Sequence, residues 1–355
     1  MAALEIITNI SLLILGIVLL AKGSDELVKS ASRIAGKLGV SKFLIGLTLV
    51  AVGTSVPEIA SAITSSLKGA SRLVIGNLVG SNLANIGLSI GIAAAFIHSI
   101  RTNEEMLKRD GYIMILVSVL FYIFAFNRVV SPVEGLILLL IYFAYILFLL
   151  QARTELQKKL HFAEFLNYFF KFEYLATIRS HAVKAFDHKK PKTFQEKEMT
   201  KLFIEGLVKD FLVVLISLAA VIIGARFLID QALWIAHSLG LVETFIGLTI
   251  LALSTTLPEL AVSINAARKG YSDLLIGNII GSNIANLALV FPIAAIINPV
   301  ELHNFSVFYV IPGMLAFSLV FLFFLRNEWK INKIEGLSLL GAYALLIVFL
   351  LFKAA

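Results

Sequence analysis

An all-α integral membrane protein of ten transmembrane helices, built as two inverted five-helix repeats, is the fold class this sequence predicts. Three observations carry it. Hydrophobic residues make up 59% of the 355 and charged residues only 15%, against nearer half and a quarter in an average soluble domain. The apolar residues gather into ten runs long enough to cross a bilayer. Two blocks of sequence recur at a single offset of 201 residues.

A spanning helix needs roughly 20 mostly apolar residues. The runs lie at about 5–28, 42–67, 73–97, 111–127, 132–151, 206–232, 242–267, 274–298, 304–325 and 335–352. The first has no basic stretch before Leu4–Leu20 and no small-residue cleavage site, so it reads as a span rather than a signal peptide. A β-barrel would show short alternating segments instead. Lys68–Arg72 separates the second and third runs, and Arg268–Asp273 the seventh and eighth. The long break divides the chain into a first five-helix repeat at 1–151, a connector at 152–203 and a second repeat at 204–355. Within the connector, Leu160–Phe186 mixes Phe162, Phe165, Phe169, Phe170, Phe172, Tyr174 and Leu175 with Lys171, Arg179 and Lys184. That mixture predicts an amphipathic helix on the inner membrane surface. It carries no EF-hand pattern.

The positive charge sets the orientation. With the N-terminus outside, 23 of the 30 Lys and Arg residues fall in inside breaks, and Lys68, Arg72, Arg128 and Lys353 fall outside. Without the long connector the count is still twelve against four. Both termini are therefore expected outside and 152–203 in the cytoplasm, with the cell membrane as the location. The net charge of +7 lies in the flanks of apolar runs, which excludes a nucleic-acid surface. The sequence has no cysteine, so disulfides and thiolate metal sites are excluded.

Residues 46–58 read GLTLVAVGTSVPE and 247–259 read GLTILALSTTLPE, identical at seven of thirteen positions. Residues 76–86, GNLVGSNLANI, and 277–287, GNIIGSNIANL, match at seven of eleven. These blocks mark α-repeats at about 42–97 and 242–298. With five spans per copy, the second copy enters the membrane from the opposite side. Inverted repeats of this kind are the plan of many secondary transporters, which carry their site near the bilayer midplane at the repeat interface. The plan favours alternating access over a fixed pore.

Glu58 and Glu259 lie deep inside apolar runs. An ionisable group at the membrane centre costs about 2.5–3.5 kcal/mol on insertion scales and needs a counter-charge. No Lys or Arg occupies a comparable depth in the repeated blocks, so a bound cation is the natural partner. Thr54 is four residues from Glu58 and shares its helix face, with Ser55 beside it. Thr255, Thr256 and Glu259 repeat the arrangement. Pro57 and Pro258 cannot donate a backbone hydrogen bond, which can free carbonyls around Ala51 and Thr54, and around Ala252 and Thr255. Ser81 with Asn85, and Ser282 with Asn286, are again four apart. Carboxylates, carbonyls, hydroxyls and amide oxygens suit hard cations such as Ca²⁺ or Na⁺. Taken singly, each of the Ser, Thr and Asn residues would more often be a helix–helix contact than a ligand. Gly76, Gly80, Gly277 and Gly281 read as close-packing positions, and Asn77 and Asn278 as helix caps or bridges.

GTSVPE at 53–58, STTLPE at 254–259 and the GSN-x-AN runs at 80–85 and 281–286 resemble the α-repeats of the sodium/calcium exchangers, of prokaryotic type, in the calcium/cation antiporter superfamily. The resemblance implies competitive binding of Ca²⁺ and Na⁺. Carried over by position, it implies ligands from Ala51, Thr54, Ser55, Glu58, Ser81 and Asn85, and from Ala252, Thr255, Thr256, Glu259, Ser282 and Asn286. It also implies that the first and sixth helices slide across the remaining bundle. Two carboxylates balance one Ca²⁺ or two Na⁺. Asn286 stands where several sodium-coupled members have Asp.

A Ca²⁺/Na⁺ antiporter is thus the expected function, with no cofactor, no enzymatic activity and no obligate protein partner beyond the lipid bilayer. A Ca²⁺/H⁺ antiporter on the same scaffold is the alternative, since a desolvated carboxylate holds a proton more tightly than one in water. A cation channel is disfavoured by the inverted repeat. A membrane metalloprotease is disfavoured by the lack of His at ligand spacing within the spans.

Overall fold

The computed structural model describes residues 2–97, 99–102, 104, 107–152, 162–174, 194–238 and 255–354. Its helices are α1 (Ala2–Leu38), α2 (Lys42–Thr54), α3 (Val56–Leu67), α4 (Ser71–Phe96), α5 (Tyr112–Ala125), α6 (Pro132–Ala152), α7 (Phe162–Phe170), α8 (Phe194–Ser238), α9 (Leu257–Arg268), α10 (Ser272–Ile297), α11 (Ser306–Arg326) and α12 (Lys333–Ala354). Among the described residues, α1, α4, α6, α8, α10 and α11 are long and apolar enough to cross a membrane. α2 and α3 together are also long and apolar enough, as a pair bent by 44° at Ser55. Of the remaining predicted runs, 111–127 holds the 14-residue α5 and 335–352 holds α12. The run at 242–267 is described only from residue 255.

Two helices outrun their predicted spans. α1 has 37 residues and α8 has 45, well beyond the apolar runs at 5–28 and 206–232. Ion pairs hold their polar extensions together, with Arg33 and Lys37 reaching Asp210 at 2.8 and 2.7 Å. Lys37 also donates to the Gly206 carbonyl at 2.6 Å. Farther along, the two backbones touch. A methyl group built at Gly16 would lie 3.0 Å from the Gly224 carbonyl oxygen, and one at Gly224 would lie 2.8 Å from that of Gly16. A second close approach joins α2 to α10, where a methyl at Gly277 or Gly281 would collide with the main-chain oxygen of Phe43 or Leu47. At Gly76 and Gly80 no described atom lies within 4 Å of such a methyl. Residues 244 and 248, which the repeat would set against them, lie outside the described residues.

The molecule departs from a water-soluble protein in exposing large apolar side chains and burying a polar cluster within its apolar core. Leu345 and Phe323 are about 70% exposed on the outer surface, while Ser55, Glu58, Asn82, Asn85, Glu259, Asn283 and Asn286 are buried. An apolar outside, with ionisable groups confined to the interior, suits a lipid solvent.

The sequence repeat reappears in the element boundaries. α3 and α9 start at 56 and 257, α4 and α10 at 71 and 272, and α6 and α12 at 132 and 333, each pair 201 apart. α4 and α10 loosen into π-helical turns at Asn85–Ile90 and Asn286–Val290. Such turns are rare and concentrate at functional sites. Further ones lie at Gly46–Val50 in α2, at Leu107–Gly111 before α5 and at Ser306–Val310 at the start of α11. Four short strands, β1 (Ser99–Arg101), β2 (Val129–Val130), β3 (Val300–Glu301) and β4 (Lys330–Asn332), pair as two antiparallel ladders. Ile100 faces Ile331 in β1–β4, and Val130 faces Val300 in β2–β3. The 201-residue offset carries β1 onto β3 and β2 onto β4, so it exchanges one ladder for the other. Each ladder ties one half of the chain to the other.

Of the connector helix expected over Leu160–Phe186, the described part runs from 162 to 174. α7 buries Phe165 and Tyr168 against α6, with the Phe165 ring 5.6 Å from Phe148 and 6.0 Å from Tyr145. Phe170 and Phe172 stay exposed on its free side. One aromatic face is therefore docked on protein, and these two rings are left exposed.

Candidate functional site

The break between α2 and α3 falls at Ser55, and α3 leaves at 44°. Pro57, in the first turn of α3, lacks the N–H that would reach the Gly53 carbonyl four residues back. The helix therefore restarts, and Glu58 stands in its first turn. Glu259 has the same position in α9, behind Pro258. Free amide N–H groups at a helix N-terminus favour negative charge.

Both carboxylates are buried, 1% exposed at Glu58 and 0% at Glu259, and close enough to feel each other's charge. Glu259 meets two hydroxyls from the other half of the chain, and Glu58 meets one from its own half and one from the other. The Ser55 hydroxyl donates to Glu259 Oε1 at 3.3 Å, and Thr54 faces the same carboxylate. The Ser81 hydroxyl donates to Glu58 Oε1 at 3.3 Å, with Thr255 alongside. Thr255 lies 3.2 Å from Ser81 and donates to Asn77 Oδ1 at 2.8 Å. Thr54 directs its hydroxyl to the Val50 and Ala51 carbonyls at 3.1 and 3.2 Å. The Ala51 carbonyl also accepts the Ser55 N–H at 3.1 Å, so here it is engaged within its own helix. Thr256 is buried at the start of α9. Ala252 lies outside the described residues.

Asn85 and Asn286 are buried at the onset of their π-helical turns, and Ser282 lies one turn before Asn286. Glu58 Oε2, Glu259 Oε2, Asn85 Oδ1, Asn286 Oδ1 and Ser282 Oγ are all buried without a hydrogen-bond partner. Folded proteins leave few such atoms, and each calls for an explanation. Here four of the five form two pairs related by the repeat, and all five are oxygens. Among the described residues no three His, Asp or Glu side chains come together, so neutral oxygens must complete any cation shell around the two carboxylates. An oxygen-only shell of this kind suits Ca²⁺ or Na⁺.

Sequence reasoning passed over Asn82 and Asn283. Both are buried, and each donates its amide to the main-chain oxygen of the other, at 3.2 and 3.5 Å. They lie one residue from Ser81 and Ser282, hence on a different face of the helix. The signal that could have found them is their identity in both copies of GSN-x-AN. Asn278 neither caps nor bridges a helix break here, since both polar atoms of its amide are buried without a partner among the described residues.

The family model for sodium/calcium exchanger proteins matches residues 8–151 and 209–352, leaving out the connector. The sodium/calcium exchanger MaX1 of Methanosarcina acetivorans is 43% identical over 349 residues, covering 98% of this chain and 99% of its own. The inner membrane protein YrbG of Escherichia coli is 28% identical, covering 94% of each chain. Among solved structures, the sodium-calcium exchanger NCX_Mj superposes with a TM-score of 0.73 at 27% identity, covering 97% of this chain and 99% of its own. The paired VPE and LPE breaks, the two GSN-x-AN helices and the match across both halves together make this chain a member of the sodium/calcium exchanger protein family.

Proposed function

We propose that the protein is a secondary antiporter that exchanges Ca²⁺ for Na⁺ by alternating access, binding both at one all-oxygen site between its two halves. The observation that carries this reading is the set of unpartnered oxygens on Glu58, Glu259, Asn85 and Asn286, related in pairs by the repeat. The first helix of each half supplies the means of switching. α1 and α8 touch through Gly16 and Gly224 and pack more extensively on each other than on any other helix, which suits movement as one unit.

The proposed ligands are Glu58, Glu259, Thr54, Ser55, Ser81, Asn85, Thr255, Thr256, Ser282 and Asn286, with the Ala51 and Ala252 carbonyls. The contacts between loops support the two-sided layout with ten crossings. Loops assigned inside pair with one another, as in β1 with β4, Lys42 over the Tyr271 ring, and Lys269 with Asp25. Loops assigned outside do the same, as in β2 with β3 and Arg72 with His303. Both termini are then outside and the connector is cytoplasmic, in the cell membrane.

The site holds two carboxylates and two neutral amides, so its charge balances one Ca²⁺ or two Na⁺. A proton on each glutamate would balance it equally well, which keeps Ca²⁺/H⁺ exchange as the second reading. Proteoliposomes loaded with Na⁺ and diluted into Na⁺-free buffer with radiolabelled Ca²⁺ separate the two. Uptake driven by the Na⁺ gradient is expected. Uptake driven only by a pH gradient would overturn Na⁺ coupling, and flux indifferent to either gradient would overturn antiport.

A further inference from the structure

Four buried asparagines meet where the two halves of the chain cross. Asn85 Nδ2 donates to Asn283 Oδ1 at 3.1 Å, and Asn286 Nδ2 donates to Asn82 Oδ1 at 2.9 Å. The Asn82 and Asn283 amides are themselves fixed. Each directs Nδ2 to the other's main-chain oxygen, at 3.2 and 3.5 Å, and to the Met314 or Met114 sulfur, at 3.7 and 3.9 Å. Since Nδ2 can only donate, those bonds turn each Oδ1 the other way, toward Asn286 or Asn85. All four residues are 0–1% exposed, so bulk solvent does not reach these amides.

From this geometry we infer that Asn82 and Asn283 are positioning residues that lock the Asn286 and Asn85 amides with their oxygens presented to the cation. An asparagine amide has two faces, one that binds a cation and one that repels it. Nothing in Asn286 itself chooses between them; the acceptor on Asn82 does. Oδ1 of Asn85 and of Asn286 is left buried and unpartnered, while no atom of the Asn82 and Asn283 amides is. A cation on Oδ1 draws electron density from the amide and strengthens the Nδ2 bond to the positioning oxygen, so binding and clasp reinforce each other. The clasp also works crosswise: each half of the chain orients the ligand of the other. The inference rests on the cation site proposed above.

Outer residues that orient ligands typically contribute about 10–100-fold to metal affinity. The test is Ca²⁺ titration by calorimetry on the purified full-length protein in Na⁺-free detergent. Asn82→Leu, which removes the amide but keeps its bulk, is expected to weaken Ca²⁺ binding about 10–100-fold. The same change in an Asn286→Ala background is expected to cost little more than Asn286→Ala alone, because Asn82 acts through Asn286. Asn283→Leu with Asn85→Ala is the independent second cycle, and Asn82→Ser and Asn283→Ser replace the leucines if those fail to fold. Equal losses with and without the Asn286 amide would overturn the inference, as would unchanged affinity in Asn82→Leu. Ca²⁺ binding without gradient-driven uptake by the native chain would remove the antiport reading and leave the clasp standing. A native chain that binds no Ca²⁺ would remove both.

Discussion

Replacing Gly281 by alanine tests how the site is held together. A methyl group there would collide with the main-chain oxygen of Leu47 and lie 2.7 and 2.8 Å from Leu47 Cα and Ala51 Cβ. Two of these three atoms belong to the backbone, so they yield only if α2 moves as a whole. Overpacking of this kind costs about 1–3 kcal/mol, and the upper part of that range applies where backbone must shift. Alanine returns up to about 1 kcal/mol of helix propensity. The net loss is then about 2 kcal/mol, or several degrees of melting temperature at about 2–4 °C per kcal/mol. Moving α2 off α10 also draws Ser55 away from Glu259, where the hydroxyl sits 3.3 Å from the carboxylate. Gly341→Ala is the control, since a methyl there meets no described atom within 4 Å. Thermal unfolding in detergent should place Gly281→Ala several degrees below the native protein and Gly341→Ala level with it or above. A Gly281→Ala protein that melts with the control would refute the close approach of α2 and α10.

Two further outcomes are expected. Phe165→Ala removes the ring that joins α7 to Tyr145 and Phe148, and should abolish hydrogen-exchange protection over 162–174 while leaving the bundle unchanged. Loss of protection throughout the bundle would show that α7 is part of the core rather than docked upon it. The absence of native cysteine makes sidedness easy to read. A membrane-impermeant maleimide should label Lys68→Cys in intact cells and Arg326→Cys only after permeabilisation, and the reverse pattern would invert the orientation.

The apolar runs located the six spans found among the described residues because lipid leaves the chain little choice of conformation. The repeated motifs located Glu58 and Glu259 because a charge is costly at that depth. Other features depend on packing that composition does not encode. α1 and α8 run past their apolar segments because Arg33, Lys37 and Asp210 pair between them, and no property of either segment alone reports that. The π-helical turns at Asn85 and Asn286 share no single breaker: Gly87 lies within the first, and Pro292 follows the second. Spacing placed Asn85 and Asn286 on the face of Ser81 and Ser282, whereas Asn82 and Asn283 acquire their role only when the two halves cross. The proline breaks were expected to free the Ala51 carbonyl; here it accepts bonds from both Ser55 and Thr54. The carbonyl that Pro57 leaves without its usual donor is that of Gly53.

Ca²⁺ binding to Glu58→Gln and Glu259→Gln, each beside the native chain, tests most directly whether the two carboxylates form one cation site. If both charges contact the same ion, losing either should cost about 3–5 kcal/mol, as for breaking a buried ion pair. That is on the order of a hundred- to several-thousand-fold in affinity, with Na⁺-driven Ca²⁺ uptake abolished in both. Native affinity and native exchange in either variant would contradict the shared site.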